Sequence, residues 1–132
     1  MSPEIEVRTA STLSRAIRQI RQEFDLNITE AATLLAIAEN EGCTPTDLAR
    51  ICGYTVATAS RTARALLSDG DEGAMAPFHG LALMRSGPRN AKLRHLFLSA
   101  TGRRLCLRLD ALVMSPASPI LSPSGALFDM AG

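Results

Sequence analysis

The stretch of sequence that decides the fold is DLARICGYTVATASRTARAL, residues 47–66. It predicts two short helices that are separated by a tight turn. Two helices that cross steeply need a small residue at their contact, and Ala49 stands at that place. The turn needs a residue that tolerates a positive φ, and Gly53 supplies it. The pattern is typical of a helix-turn-helix, although an ordinary corner between two helices has the same features.

The second helix of this stretch is capped by Thr55 and is predicted to run from residue 56 to about residue 68. Its spacing predicts a buried face made of Val56, Ala59, Ala63 and Leu66. The other face carries short polar or guanidinium side chains and no acid, which suits the major groove of duplex DNA. The residues of this face are Thr55, Ala57, Thr58, Arg61 and Thr62.

Arg61 is the first candidate for a base contact, because an arginine that binds guanine through two hydrogen bonds is the commonest specific contact. A phosphate contact or a plain surface position is the alternative. Thr58 and Thr62 are candidates for contacts with base edges or a thymine methyl group, or else they face solvent.

Three helices are predicted on the N-terminal side of Gly53. Leu13, Ile17, Ile20 and Phe24 form one apolar stripe of a helix whose start is capped by Thr9 or Ser11. A second helix starts near residue 29 and stops before Gly42. The third follows the segment TPTD, residues 44–47, in which a capping threonine precedes a proline at the first helical position.

A basic hairpin and a last helix are predicted on the C-terminal side. Residues 69–80 read as a loop, residues 81–85 and 93–99 as two strands, and residues 101–114 as a helix with an apolar side of Leu105, Leu109 and Leu112. The order of helix-turn-helix, hairpin and helix predicts a mainly α fold with a small β-hairpin, a winged helix-turn-helix. The candidate DNA contacts of its wing are Arg85, Arg89, Asn90, Lys92 and Arg94.

The charge is divided along the chain although the 132 residues together carry a net charge of only +1. Residues 1–42 hold four arginines against seven acids, whereas residues 85–108 hold seven basic residues and no acid. A basic segment of one sign indicates a polyanionic partner. Arg103 and Arg104 oppose the dipole at the start of the last helix, which indicates nearby DNA or an acidic partner such as the first helical region.

These motifs resemble the MarR family of bacterial regulators over residues 13–112. The segment LSATG, residues 98–102, stands in the place of the family's L-T-x-x-G, and Asn90 and Lys92 replace the acid and the arginine of its D-x-R wing motif. The resemblance implies a dimer that acts as a sequence-specific transcriptional regulator, a repressor at a pseudo-palindromic operator. A small-molecule effector at the dimer interface is an open question. The loop at residues 69–80 is longer, and the C-terminal part shorter, than in the family.

The chain divides into a DNA-binding domain, residues 1–114, and a tail, residues 115–132, that is rich in proline and serine and is either disordered or packed on the partner subunit. With the family's long C-terminal helix pair missing, dimerisation is expected to rest on the first and last helices. The candidate residues are Leu13, Ile17, Ile20, Leu109 and Leu112.

Other classes of function find little support in the sequence. The sequence has three cysteines without a CxxC pair, and its only histidines, His79 and His95, are far from them in sequence. This pattern predicts neither a disulfide framework nor a metal site, and no cofactor is expected. Oxidant sensing by Cys43, which precedes a helix start, is a minor alternative. No catalytic set, signal peptide or membrane span is evident, so we expect a cytoplasmic protein that is not an enzyme. The rival interpretations are a winged-helix module for protein–protein contacts and a plasmid or phage replication or partition protein.

Overall fold

The computed structural model describes residues 3–114, and the side chains from residue 10 onward. The tail at residues 115–132 and its predicted packing lie outside the described residues. Five helices and one two-stranded antiparallel sheet follow each other in the predicted order, so the mainly α winged-helix fold is confirmed. The elements are α1 (Pro3–Phe24), α2 (Ile28–Glu39), α3 (Pro45–Cys52), α4 (Val56–Ala65), β1 (Ala82–Ser86), β2 (Arg94–Leu98) and α5 (Ala100–Met114).

Capping boxes fix the starts of α2 and α3. At α3, the Thr44 hydroxyl accepts the Asp47 N–H at 3.2 Å, and the Asp47 carboxylate accepts the Thr44 N–H at 3.0 Å. Asn27 and Glu30 make the same exchange at α2, at 2.7 and 2.9 Å. Each box satisfies two backbone donors that a helix start leaves without partners. The sequence predicts the start of α3 at this box, whereas the box of α2 is a finding of the structure.

Two helix boundaries differ from the prediction. Helix α1 begins at Pro3, where a proline fits the first turn, so neither Thr9 nor Ser11 caps it. Helix α4 ends at Ala65, earlier than predicted, because residues 75–81 fold back over its C-terminal end. The carbonyls of Arg64, Ala65 and Leu66 accept backbone N–H groups of that segment at 3.1, 3.0 and 2.7 Å.

The wing, residues 82–98, is a β-hairpin with a third chain segment along its outer edge. Ala82 pairs with Leu98 and Ser86 with Arg94, so the strands start and end one residue away from the predicted bounds. Beyond the prediction, Gly42 and Cys43 exchange backbone hydrogen bonds with Leu96 at 2.7 and 2.8 Å. This bridge ties the turn between α2 and α3 to the base of the wing.

The core is built mainly from leucines and alanines of all five helices and the wing. Ala59 and Ala63 of α4 are completely buried, and so is Leu66, as predicted. Val56 is an error of that prediction, since it is 51% exposed in the first turn of α4. Helix α1 packs against α5, and Leu105 and Leu109 of α5 are buried. None of the described helices is both long and apolar enough to cross a membrane.

Candidate nucleic-acid interface

The turn between α3 and α4 has the geometry that the sequence predicts. Gly53 adopts a left-handed conformation with φ of 75°, and its N–H donates to the Ala49 carbonyl. Ala49 is buried where the two helices meet. Tyr54 is half-buried, and its hydroxyl points to the Thr29 carbonyl at 3.5 Å. The Tyr54 side chain is thus packed against the core at the turn between α3 and α4.

The predicted reading face of α4 lies on the accessible side of the helix. Ala57 and Arg61 are exposed, whereas Thr58 and Thr62 are half-buried at its margins. Thr55 is exposed and is the N-cap of α4, because its hydroxyl accepts the Thr58 N–H at 3.1 Å. The five predicted residues therefore present one cation and several small side chains, a shape that a groove can accept.

Arg64 is a cation of this face that the sequence analysis missed. It is exposed one turn after Arg61, and the i, i+3 spacing of the two arginines was the available signal. Neither guanidinium forms an ion pair within the part of the chain that the structure describes. Helix α4 therefore carries two uncompensated positive charges on its outer side.

The tip of the wing holds three of the predicted cations in the open. Arg89 and Lys92 lie in the turn, and Arg85 is exposed on β1 opposite His95. None of the three meets a carboxylate among the described residues. Asn90 has a structural role, because its side chain accepts the Lys92 N–H at 3.0 Å and its carbonyl accepts the Leu93 N–H at 3.1 Å.

Three other basic residues of the segment 85–108 are compensated by carboxylates of the chain. Arg94 lies 3.1 Å from the Glu72 carboxylate, and Arg103 lies 2.6 Å from that of Glu41. Arg108 pairs with Glu23 of α1. For Arg103, the structure thus supplies the acidic partner that was one of two explanations for a cation at a helix start. The number of cations counted in the segment is therefore larger than the uncompensated positive charge that faces solvent.

The three cysteines are free thiols with raised pKa values. Cys43, Cys52 and Cys106 form no disulfide. Burial raises the pKa of the Cys43 thiol, and the nearby Asp47 carboxylate raises it further. Burial likewise raises the thiol pKa values of Cys52 and Cys106. Burial and the neighbouring negative charge both disfavour a Cys43 thiolate, the form that an oxidant-sensing cysteine needs.

His79 is the buried polar residue of the loop at residues 69–80. Its side chain is 7% exposed, and its Nε2 lies 3.1 Å from a carboxylate oxygen of Glu30 at an angle that does not make a hydrogen bond. Glu30 belongs to the capping box of α2, so the contact fastens the loop to that helix start. No group of three or more metal-ligating side chains occurs within the described residues.

The predicted dimerisation residues fall into two groups. Leu13 and Ile17 of α1 are 59% and 48% exposed, so they are available to a partner. Ile20 and Leu109 are buried in the core of their own chain, and Leu112 is packed against that core. Beside Ile17, a groove of about 480 Å³ opens between α1 and α2, and Ile28 and Ala31 lie on its α2 side.

Two comparisons with known proteins find similar sequences or folds. Residues 24–70, about a third of the chain, match the sequence model of the MarR family. This match bears out the resemblance seen in the motifs. No curated protein sequence matches the chain significantly.

Solved structures share the fold over most of the chain. A mutant of MepR from S. aureus bound to an oligodeoxyribonucleotide is 16% identical, with a TM-score of 0.64 over 82% of this chain and 72% of MepR. A MepR–DNA complex from S. aureus is 17% identical, with a TM-score of 0.62 over 78% and 77%. Apo MarR from E. coli is 14% identical, with a TM-score of 0.56 over 87% and 79%. At such identities the likeness establishes the fold, the winged helix of MarR-type regulators.

Proposed function

We propose that this chain is a MarR-type transcriptional regulator that binds duplex DNA as a homodimer. The observation that carries the proposal is the set of free cations on a helix-turn-helix and its wing. Arg61 and Arg64 stand on the outer side of α4, and Arg85, Arg89 and Lys92 stand on the wing. A recognition helix enters the major groove, and a cationic wing reaches phosphates or the adjacent minor groove. Such a regulator works in the cytoplasm, beside the chromosome.

In this proposal, Arg61 reads a base from the middle of α4, and Arg64 meets a phosphate at the edge of the groove. Thr58 and Thr62 line the sides of the same face. Thr58 and Thr62 are half-buried, so they come close to DNA only if the side of α4 that carries Arg61 faces the floor of the groove. The two MepR structures were solved with DNA, which makes duplex DNA the first ligand to test for this fold.

The exposed apolar residues of α1 support the proposed dimer. Leu13 and Ile17 lie one turn apart, and α5 adds exposed apolar residues at its end, among them Val113 and Met114. A second copy would remove these side chains from water. A two-fold dimer sets its recognition helices about 34 Å apart, in successive major grooves of a pseudo-palindrome, and repression then follows from blocking the polymerase.

The first experiment is fluorescence anisotropy on a promoter-upstream duplex and a random duplex at two salt concentrations, with the mass checked by light scattering. We expect a dimer that binds both duplexes and loses affinity as salt rises, because each phosphate contact releases counterions. The absence of binding at low salt would contradict the proposal. It would favour a winged-helix module whose basic wing binds an acidic protein.

A further inference from the structure

The loop at residues 69–80 brings a carboxylate to the far end of the wing. Glu72 Oε1 lies 3.1 Å from Nη2 of Arg94, whose Nη1 donates a hydrogen bond to the Ser86 hydroxyl at 3.3 Å. Ser86 and Arg94 are the last ladder pair before the turn of the hairpin. The ion pair thus lies beside the turn that carries Arg89 and Lys92.

This ion pair is accessible to solvent and weak. The Glu72 side chain is 82% exposed, and the Arg94 side chain is 37% exposed. Exposed ion pairs contribute little to stability, because water screens both charges and two long side chains lose freedom. A DNA phosphate, which also binds arginine through charge-assisted hydrogen bonds, can therefore displace the carboxylate from Arg94.

The backbone around Glu72 is held in place by contacts with the C-terminal end of α4 and the residues that follow it. The Asp71 carboxylate accepts the Ser68 N–H at 3.3 Å, and the Met75 N–H donates to the Arg64 carbonyl at 3.1 Å. Farther along the loop, His79 is buried against Glu30. When Arg94 turns toward another anion, the negative charge of Glu72 therefore stays close to the wing.

We propose that Glu72 competes with the DNA backbone for Arg94 and thereby lowers the affinity of the protein for any duplex. The inference rests on the proposed function and names a residue that limits it. Phosphate contacts carry no sequence information, so the effect is the same on specific and random DNA. The opposite role, in which Glu72 holds Arg94 in a binding position, predicts weaker binding when the carboxylate is lost.

The test compares Glu72→Gln, Arg94→Gln, the double variant and Asp69→Asn with the unmodified full chain. Asp69 is the matched control, since it is exposed in the same loop and no basic partner for it occurs among the described residues. All five proteins are measured by fluorescence anisotropy on one random and one promoter-upstream duplex at low salt. Circular dichroism checks that each protein is folded.

We expect Glu72→Gln to tighten binding to both duplexes by up to about fivefold, the upper end for an exposed ion pair. Asp69→Asn should tighten it less, and the double variant should bind like Arg94→Gln alone. The inference is overturned if Glu72→Gln weakens binding, matches Asp69→Asn, or still tightens binding in the Arg94→Gln background. If none of the five proteins binds DNA, the proposed function fails as well, whereas binding that ignores Glu72 refutes the competition alone.

Discussion

Gly102 lies against the backbone of Leu81, so close that a Cβ atom on Gly102 would come 2.0 Å from the Leu81 carbonyl oxygen. The same oxygen accepts the Ser99 N–H at 3.0 Å. The Ser99 hydroxyl accepts the Gly102 N–H at 3.0 Å and donates to the Gly80 carbonyl at 2.7 Å. The serine and glycine of the LSATG segment therefore join the start of α5 to the entry of the wing.

Replacing Gly102 by alanine should destabilise the fold by about 3 kcal/mol or more, because the backbone of Leu81 cannot move aside without breaking these bonds. Urea unfolding measures the loss. Gly73→Ala is the control, since its positive φ of 82° adds strain but open space surrounds the position. Equal losses for the two variants would show that the contact is not steric.

The capping box of α3 makes stability depend on pH. Hydrogen bonding to the Thr44 N–H holds the pKa of the Asp47 carboxyl below its usual value. A carboxyl with a lowered pKa stabilises the fold above its unfolded pKa of about 4, and this stabilisation is lost as the pH falls through the folded value. Asp47→Ala should therefore cost less than about 1 kcal/mol at pH 7, as expected for an exposed group, and less again near pH 3.

Thr44→Ala is the control for the capping box, because the hydroxyl that caps the Asp47 N–H does not titrate. Its cost, about 1 kcal/mol, should persist at both pH values. Urea titrations of both variants at the two pH values give the comparison. A cost of Asp47→Ala that is unchanged at acid pH would mean that its carboxylate does not stabilise the helix start.

Arg61 and Arg64 should differ in what they read. Arg61→Ala is expected to cost about 1–3 kcal/mol on the operator and less on random DNA, because a base contact is lost. Arg64→Ala should weaken both complexes alike, since a phosphate contact is the same in every sequence. Anisotropy titrations on the two duplexes measure both effects. Equal losses for Arg61→Ala would reassign that residue to the backbone.

The wing should contribute affinity without specificity. Arg89→Ala together with Lys92→Ala removes two exposed cations, and the slope of log affinity against log salt should become shallower by about 2. Arg18→Ala with Arg21→Ala removes the same charge from the exposed side of α1, outside α4 and the wing, and should leave the slope nearly unchanged. If the wing variant keeps the original slope, the wing is not part of the interface.

Ile17 should separate dimerisation from folding. Ile17→Asp places a charge on the exposed apolar side of α1, so we expect a folded monomer by light scattering and weaker binding to a two-fold operator. Gln22→Asp, also exposed on α1, is the control that should remain dimeric. A dimer in both variants would exclude the Ile17 surface as the interface. By contrast, Ile20→Asp is expected to unfold the chain, because Ile20 is buried.

Features that depend on residues close together in the chain could be predicted from the sequence. Thr44 and Pro45 start α3, Gly53 makes the turn, and the spacing of Ala59 and Ala63 selects the buried face of α4. The physical reason is that caps, turns and helical periodicity operate over a few residues. The exposed position of Arg61 follows from the same periodicity.

Only the tertiary structure decided which of the predicted residues are buried or paired by segments distant in the chain. Sequence periodicity assigns Ile17 and Ile20 to one stripe, but the packing of α1 on α5 buries Ile20 and leaves Ile17 exposed. The basic run likewise predicts Arg94 as a free cation, but the loop at residues 69–80 places Glu72 beside it. Burial and ion pairing depend on which elements meet in space. A count of charges or apolar residues along the chain cannot contain that information.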